Sequence, residues 1–233
     1  QDYLLSQGIP ADNIIYFNFE DFSLLKIQTA DQLRGLLANR LDKNVRTYLL
    51  LDEIQMVDGW QRVINGVRVS YDSDIVLTGS NAHMLSGELA TLLSGRYVEI
   101  PIYPFSFKEF LQAKNIDPDS RKVDSSFTEY EQYGGFPSVV LADTPIKDTI
   151  LSGIYDTIIL NDVSMRANVR DTDILKSLVA FLADNIGQLI QPAKVARTLS
   201  SEGIKTTNHT VERYLSLLEN AFLFYRARQY DIR

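Results

Sequence analysis

The sequence predicts an α/β fold built on a parallel sheet and continued by a helical region. Three observations predict it. Tyr48-Leu49-Leu50-Leu51 is a short apolar run closed by two adjacent carboxylates, Asp52 and Glu53. That is the pattern of a central strand buried on both faces, with its acids at the carboxyl edge of the sheet. Two further runs rich in β-branched and aromatic residues, Asn13-Ile14-Ile15-Tyr16-Phe17-Asn18-Phe19 and residues 74–78, lie on either side of it in the chain, with helical patterns between them. From about residue 115 the texture changes to a polar linker and then to helical segments.

Each element has a local basis. Tyr3-Leu4-Leu5 reads as the end of a helix, and the Gly8-Ile9-Pro10 turn leads into the first strand. Glu20-Asp21 closes that strand, either as an acidic turn or as a supporting contact to a metal or a neighbouring loop. Thr29-Ala30-Asp31-Gln32 has the spacing of a capping box, and Leu33, Leu36, Leu37 and Leu41 then form one apolar face. After Glu53, the turn Val57-Asp58-Gly59 introduces Trp60, Val63, Ile64 and Val67 at helical spacing. Strand 74–78 ends in Gly79-Ser80-Asn81, and Tyr97-Val98-Glu99-Ile100 is again strand-like. Ser106 with Glu109 and Ser126 with Glu129 repeat the capping-box spacing. Tyr133-Gly134-Gly135-Phe136-Pro137 breaks the helix with two glycines and a proline, and residues 146–159 form a longer apolar-periodic stretch.

Composition narrows the functional classes. The 233 residues are 45% hydrophobic, enough for a real core, and a net charge of −7 argues against broad attraction to nucleic acid. With no cysteine and only His83 and His209, a disulfide framework is excluded and a zinc site is disfavoured. The absence of cysteine is compatible with the cytoplasm. No apolar run approaches the ~20 residues that span a bilayer, so no membrane segment is expected.

The paired acids have a chemical logic. A hard cation such as Mg²⁺ takes oxygen ligands and keeps several waters, so Asp52 can hold the hydrated ion while Glu53 orients or deprotonates an attacking water. The run Leu49-Leu50-Leu51-Asp52-Glu53-Ile54-Gln55, then Trp60, then Ile75-Val76-Leu77-Thr78-Gly79-Ser80-Asn81, then Leu93-Ser94-Gly95-Arg96 and Pro101-Ile102-Tyr103-Pro104-Phe105-Ser106-Phe107-Lys108-Glu109-Phe110, resembles the prokaryotic AAA+ ATPases. The likeness is to the group whose P-loop NTPase core is followed by a winged helix and a nuclease-like domain of unknown function.

The resemblance implies ATP and Mg²⁺ as ligands in the intact protein, with Asp52-Glu53 as the Walker B pair. It implies a sensor 1 role for Ser80 first and Asn81 second, against the alternative of a helix N-cap, which both residue types favour. Arg96 becomes a candidate to complete a neighbouring subunit's site through self-association, since a guanidinium suits a phosphate in transfer. A structural salt bridge to Glu88 or Glu99 is the alternative. No glycine is followed by lysine, so the Gly-x-x-x-x-Gly-Lys-Ser/Thr phosphate loop is lacking. The expectation is a sheet missing its first strand and phosphate loop. The glycines 134 and 135 serve either as a helix cap or as a place where backbone passes close to nucleotide.

The last third reads as a winged helix. Residues 171–185, a helix opened by Pro192 and a third capped by Thr207 carry apolar faces, and residues 221–230 alternate as a ribbon. That geometry sets His209 and Arg213 on the recognition helix and Arg226 and Arg228 on the wing, where they face DNA or pack against protein. The expected domains are 1–114 as the ATPase core, 115–170 as a helical lid and 171–233 as the winged helix. The expected function is Mg-dependent ATP hydrolysis driving a conformational switch, with this fragment inactive alone. The alternative is a DNA-binding or protein-docking module whose α/β part is scaffold.

Overall fold

The structure, a computed structural model, describes residues 1–79, 95–159, 163 and 172–227. The chain divides into two compact units, Gln1–Val98 and Glu99–Arg233.

The first unit carries the sheet. β1 (Ile14–Asn18), β2 (Thr47–Asp52) and β3 (Ser73–Leu77) are hydrogen-bonded in the order β1-β2-β3, and both pairings are parallel. The register sets Asn18 opposite Asp52 and Leu50 opposite Val76. Parallel neighbours require crossovers, and here they are helical: α2 (Ala30–Ala38) joins β1 to β2, and α3 (Trp60–Ser70) joins β2 to β3. α2 begins where the capping box predicts, with the Gln32 side-chain oxygen accepting from the Thr29 amide at 3.1 Å.

Because strand side chains alternate, one face of the sheet takes Ile15, Leu49 and Leu51 into a core with Leu33 and Leu37 of α2 and Trp60, Ile64 and Val67 of α3. The other face carries Tyr16, Tyr48, Leu50, Asp52, Val76 and Thr78. Burial along β2 therefore alternates: Thr47, Leu49 and Leu51 are buried, while Tyr48, Leu50 and Asp52 are half-buried. This corrects the expectation of a strand buried on both faces. Among the described residues two helices cover one side, and the short α1 (Asp2–Ser6) borders a hollow on the other, lined by Tyr3, Leu4, Tyr48, Leu50 and Val76.

Tyr97-Val98-Glu99-Ile100, read as strand-like, forms no strand, and Val98 and Ile100 are exposed. Its β-branched content is real, but an extended segment becomes a strand only beside a ladder partner, and among the described residues it has none.

The second unit is helical among the described residues. α4 (Phe107–Ala113) starts with the Ser106 capping box, and its Phe110 and Leu111 pack with Val140 of α6 (Pro137–Val140). α5 (Val123–Tyr133) begins before Ser126, so the second predicted box does not form. Ser126 is buried inside that helix and its hydroxyl donates to the Lys122 carbonyl, while Glu129 binds two lysines. Lys114 donates to Glu129 at 2.6 Å, and Lys147, on α7 (Lys147–Thr157) and only 1% exposed, lies 3.1 Å from it. The Lys147 ammonium also donates to the Val139 carbonyl at 2.5 Å, near the end of α6, where that carbonyl accepts from the Ala142 amide as well.

Gly134 is the C-cap of α5 at φ 71° and ψ −162°, the cap alternative of the two left open for the glycine pair, and its amide donates to the Tyr130 carbonyl. Gly135 has a different reason. Its carbonyl accepts from the Phe105 amide at 2.8 Å, and a Cβ there would lie 2.1 Å from the Phe105 carbonyl oxygen. The glycine thus serves a close approach of two backbones.

Three more helices, α8 (Thr172–Asp184), α9 (Pro192–Ser201) and α10 (Asn208–Asn220), pack Leu175, Leu178, Leu199, Val211 and Leu218 into one core. The Thr207 hydroxyl caps α10 by accepting from the Thr210 amide at 3.2 Å. Residues 221–227, expected to open a β-ribbon, contain no strand; Ala221 is buried against the helical core instead. The remainder of that expected ribbon lies outside the described residues.

This packing has two testable outcomes. Gly135→Ala should cost about 2–3 kcal/mol, because both offending groups are backbone and neither can rotate away; the thermal unfolding midpoint reads it. Burial pushes the Glu129 carboxyl upward, but the hydrogen bonds and charges of Lys114 and Lys147 outweigh burial and leave it below the ordinary glutamate value. A depressed folded value means that its stabilisation is present above the unfolded value, about 4.3, and is lost as pH falls through the folded one. Glu129→Gln should therefore destabilise by about 3 kcal/mol near neutral pH, where it strands the Lys147 charge. The gap to wild type should narrow under acid, as measured by denaturant unfolding at pH 7 and pH 3.5.

Candidate active site at the carboxyl edge of the sheet

Asp52 is the last residue of β2, and the two-residue period puts it on the open face, in line with Tyr48 and Leu50. It borders a hollow of about 280 Å³ lined by Gln1, Tyr16, Leu50, Leu51, Val76 and Thr78 as well. Hydroxyls from both flanking strand regions hold its carboxylate. The Tyr16 phenol donates to Oδ2 at 3.1 Å, and the Thr78 hydroxyl donates to Oδ1. The hydrogen bond to Asp52, with desolvation and the Asp52 charge adding to it, pushes the Tyr16 phenol above the usual tyrosine value.

Thr78 has a second bond. The Glu53 amide donates to its hydroxyl at 3.2 Å, and the Thr78 amide and carbonyl extend the β2-β3 ladder to Leu51 and Ile54. One side chain thereby ties the end of β3 to both acids. Glu53 occupies the left-handed region, φ 54° and ψ 42°, which costs a non-glycine residue about 1–2 kcal/mol. The turn is fixed all the same by the Thr78 bonds and by Ile54 and Val57, both fully buried. The Gln55 amide donates to the Glu53 carboxylate.

Asp52 and Glu53 are thus adjacent at the carboxyl end of β2; Asp52 lines the hollow, whereas the Glu53 carboxylate accepts from Gln55 and is not among the lining residues. The sensor residues chosen from sequence, Ser80 and Asn81, lie outside the described residues, as does Arg228. Thr78 is not among the residues expected from sequence, yet counting by two from Val76 puts it on the face of Asp52, a signal that the sequence contains. Asp21 spends its carboxylate on the amide and hydroxyl of Ser23, at 2.8 and 2.6 Å, so it caps a local turn. Arg96 is exposed. In the second unit, His209 and Arg213 are exposed on α10, and Arg226 donates to Glu219 at 2.7 Å.

The donor set suits magnesium. Among the described residues no three His, Cys, Asp or Glu side chains gather into a metal cage. Mg²⁺ does not need one: it is commonly held by one or two carboxylates together with substrate phosphates and water. A half-buried carboxylate beside an open hollow, with a hydroxyl next to it, meets that requirement.

Comparison with known proteins bears on this edge. Residues 2–111 match the family model of an AAA domain. That match supports an AAA-type, P-loop-like core, and the three-stranded parallel sheet fits it. Residues 124–232 match a domain of unknown function. An uncharacterized protein of Haemophilus influenzae is 60% identical over 100% of this chain and 58% of its own length. An uncharacterized protein of Methanocaldococcus jannaschii is 32% identical over 95% of this chain and 52% of its own length. The chain thus spans little more than half of these relatives. No solved structure matches it. Among the described residues no helix is long and apolar enough to cross a membrane.

Thr78→Val should preserve the fold, lower stability by about 1 kcal/mol through loss of the hydroxyl's bonds, and release Oδ1 of Asp52 while Tyr16 still holds Oδ2. Thr78→Ser should restore the stability, and paired thermal melts of the two variants check this.

Proposed function

We propose that these residues form part of an AAA-type ATPase that hydrolyses ATP with Mg²⁺ and couples hydrolysis to a conformational switch. The observation that carries the reading is the pair of acids at the end of the central strand, the first held by hydroxyls beside an open hollow and the second fixed in a left-handed turn. A scaffold has no need of either arrangement.

In this reading Asp52 holds the hydrated Mg²⁺, which neutralises charge on the phosphates. Glu53 takes the proton of a water whose oxygen attacks the terminal phosphorus, and the bond from that phosphorus to the bridging oxygen breaks. Thr78 fixes Asp52 and the turn at Glu53, Ser80 or Asn81 takes the role of sensing the terminal phosphate, and Arg96 completes the site of an adjacent copy. Phosphate-cradling amides and a lysine come from residues outside these 233, and the 233 alone hydrolyse ATP poorly or not at all. Residues 115–170 serve as a lid and 171–233 as a winged helix, in a cytoplasmic protein.

The alternative, a DNA-binding module with the α/β part as scaffold, has weaker support. Of its four proposed contacts, Arg226 is engaged by Glu219, and Glu212 shares the exposed face of α10 with His209 and Arg213.

The test compares Mg-ATP turnover and binding by this chain, by the intact protein that carries it, and by the intact protein with Glu53→Gln. The expected result is a 10²–10⁴-fold loss of turnover in the variant with nucleotide binding retained. Tight, Glu53-dependent turnover by the short chain alone would refute the account of where the phosphate loop lies. Turnover by the intact protein that survives Glu53→Gln would refute the assignment of the base.

A further inference from the structure

Tyr16 is a large aromatic residue that the core does not use. It is 49% exposed, on the face of the sheet opposite α2 and α3, while its strand neighbours Ile15 and Phe17 pack into that core. Its phenol reaches across the ladder. In the register Tyr16 faces Leu50, so Asp52 is its diagonal neighbour, a separation of about 7–8 Å that a long aromatic side chain can bridge. The bond at 3.1 Å falls on Oδ2, and Thr78 occupies Oδ1 from the other side.

The consequence is geometric. A carboxylate has about four lone-pair positions, two on each oxygen. One hydroxyl on each oxygen fixes the plane of the group and leaves one position on each for a cation or its waters. Both donors are neutral, so they orient the acid and leave its charge in place. Phenylalanine would keep the ring on that face, and only the hydroxyl makes the bond.

We propose that Tyr16 is a positioning residue for the metal site, orienting Asp52 to receive the hydrated divalent cation that accompanies the nucleotide. The proposal rests on the ATPase reading and extends it to a residue on the neighbouring strand. Removing an outer partner of a metal-binding group costs about tenfold or more in metal affinity.

The experiment measures Mn²⁺ binding by electron paramagnetic resonance, in the intact protein saturated with a non-hydrolysable ATP analogue, for wild type, Tyr16→Phe and Asp52→Asn. Affinity of the metal-free analogue and the thermal midpoint are measured alongside. Tyr16→Phe should weaken Mn²⁺ by about tenfold while metal-free nucleotide affinity and midpoint hold. Mn²⁺ affinity unchanged in Tyr16→Phe but lost in Asp52→Asn would overturn the role of Tyr16 and leave the ATPase reading standing. A fall in metal-free affinity and midpoint together would overturn it in favour of a packing role. Wild type in which the analogue fails to tighten Mn²⁺ would overturn the ATPase reading and this proposal with it.

Discussion

Everything at the candidate site depends on the register of β2 between its two parallel neighbours. The side-chain period of a strand is two, so a slip of one residue would send Asp52 into the helix-covered core and turn Leu51 out. What prevents the slip is burial on one side only. Leu49 and Leu51 are shielded by α2 and α3, and a one-residue slip would replace them there with Leu50 and the Asp52 carboxylate, burying a charge. The hydrophobic core thus acts as the ruler that sets a carboxylate at the edge, and the ladder to β1 and β3 brings Tyr16 and Thr78 to meet it.

The division of labour between the two faces explains the rest of the first unit. The covered face holds the fold together through Trp60, Ile64, Leu33 and Leu37. The uncovered face leaves apolar surface in water at Tyr16 and Val76, about half exposed each, and in return has room for a ligand. The second unit has a different logic. There a buried ammonium, Lys147, is balanced by Glu129 and by carbonyls at the end of α6, so a charge has become an organising element of a helical core.

Much of this was legible in the sequence wherever the signal is local. The strand around Leu49, the helix after Thr29, the helix after Ser106 and the cap at Gly134 each stem from a few neighbouring residues. Legibility failed where the outcome depends on distant partners. Ser126 and Glu129 have capping-box spacing, but the same spacing occurs within a helix, and only Lys114 and Lys147 reveal what Glu129 does. Two-sided burial of β2 depends on which elements lie above the sheet, which four apolar residues cannot tell. The bond from Tyr16 to Asp52 exists only once the register is known. Thr78 is the instructive miss: its parity with Val76 can be counted, but the polar pair beyond Gly79 carries the louder local signal.

The conformation of Glu53 has a consequence for how this chain would evolve under other pressures. Its backbone sits in a basin that glycine or asparagine enters more cheaply. Selection for heat tolerance alone would favour abandoning the acid, whereas persistence of glutamate at that bend requires a countervailing demand on its side chain. A library ranked only by robustness would accordingly enrich changes at position 53, and the divergence between that ranking and one made for fitness would mark the spot where durability and use conflict.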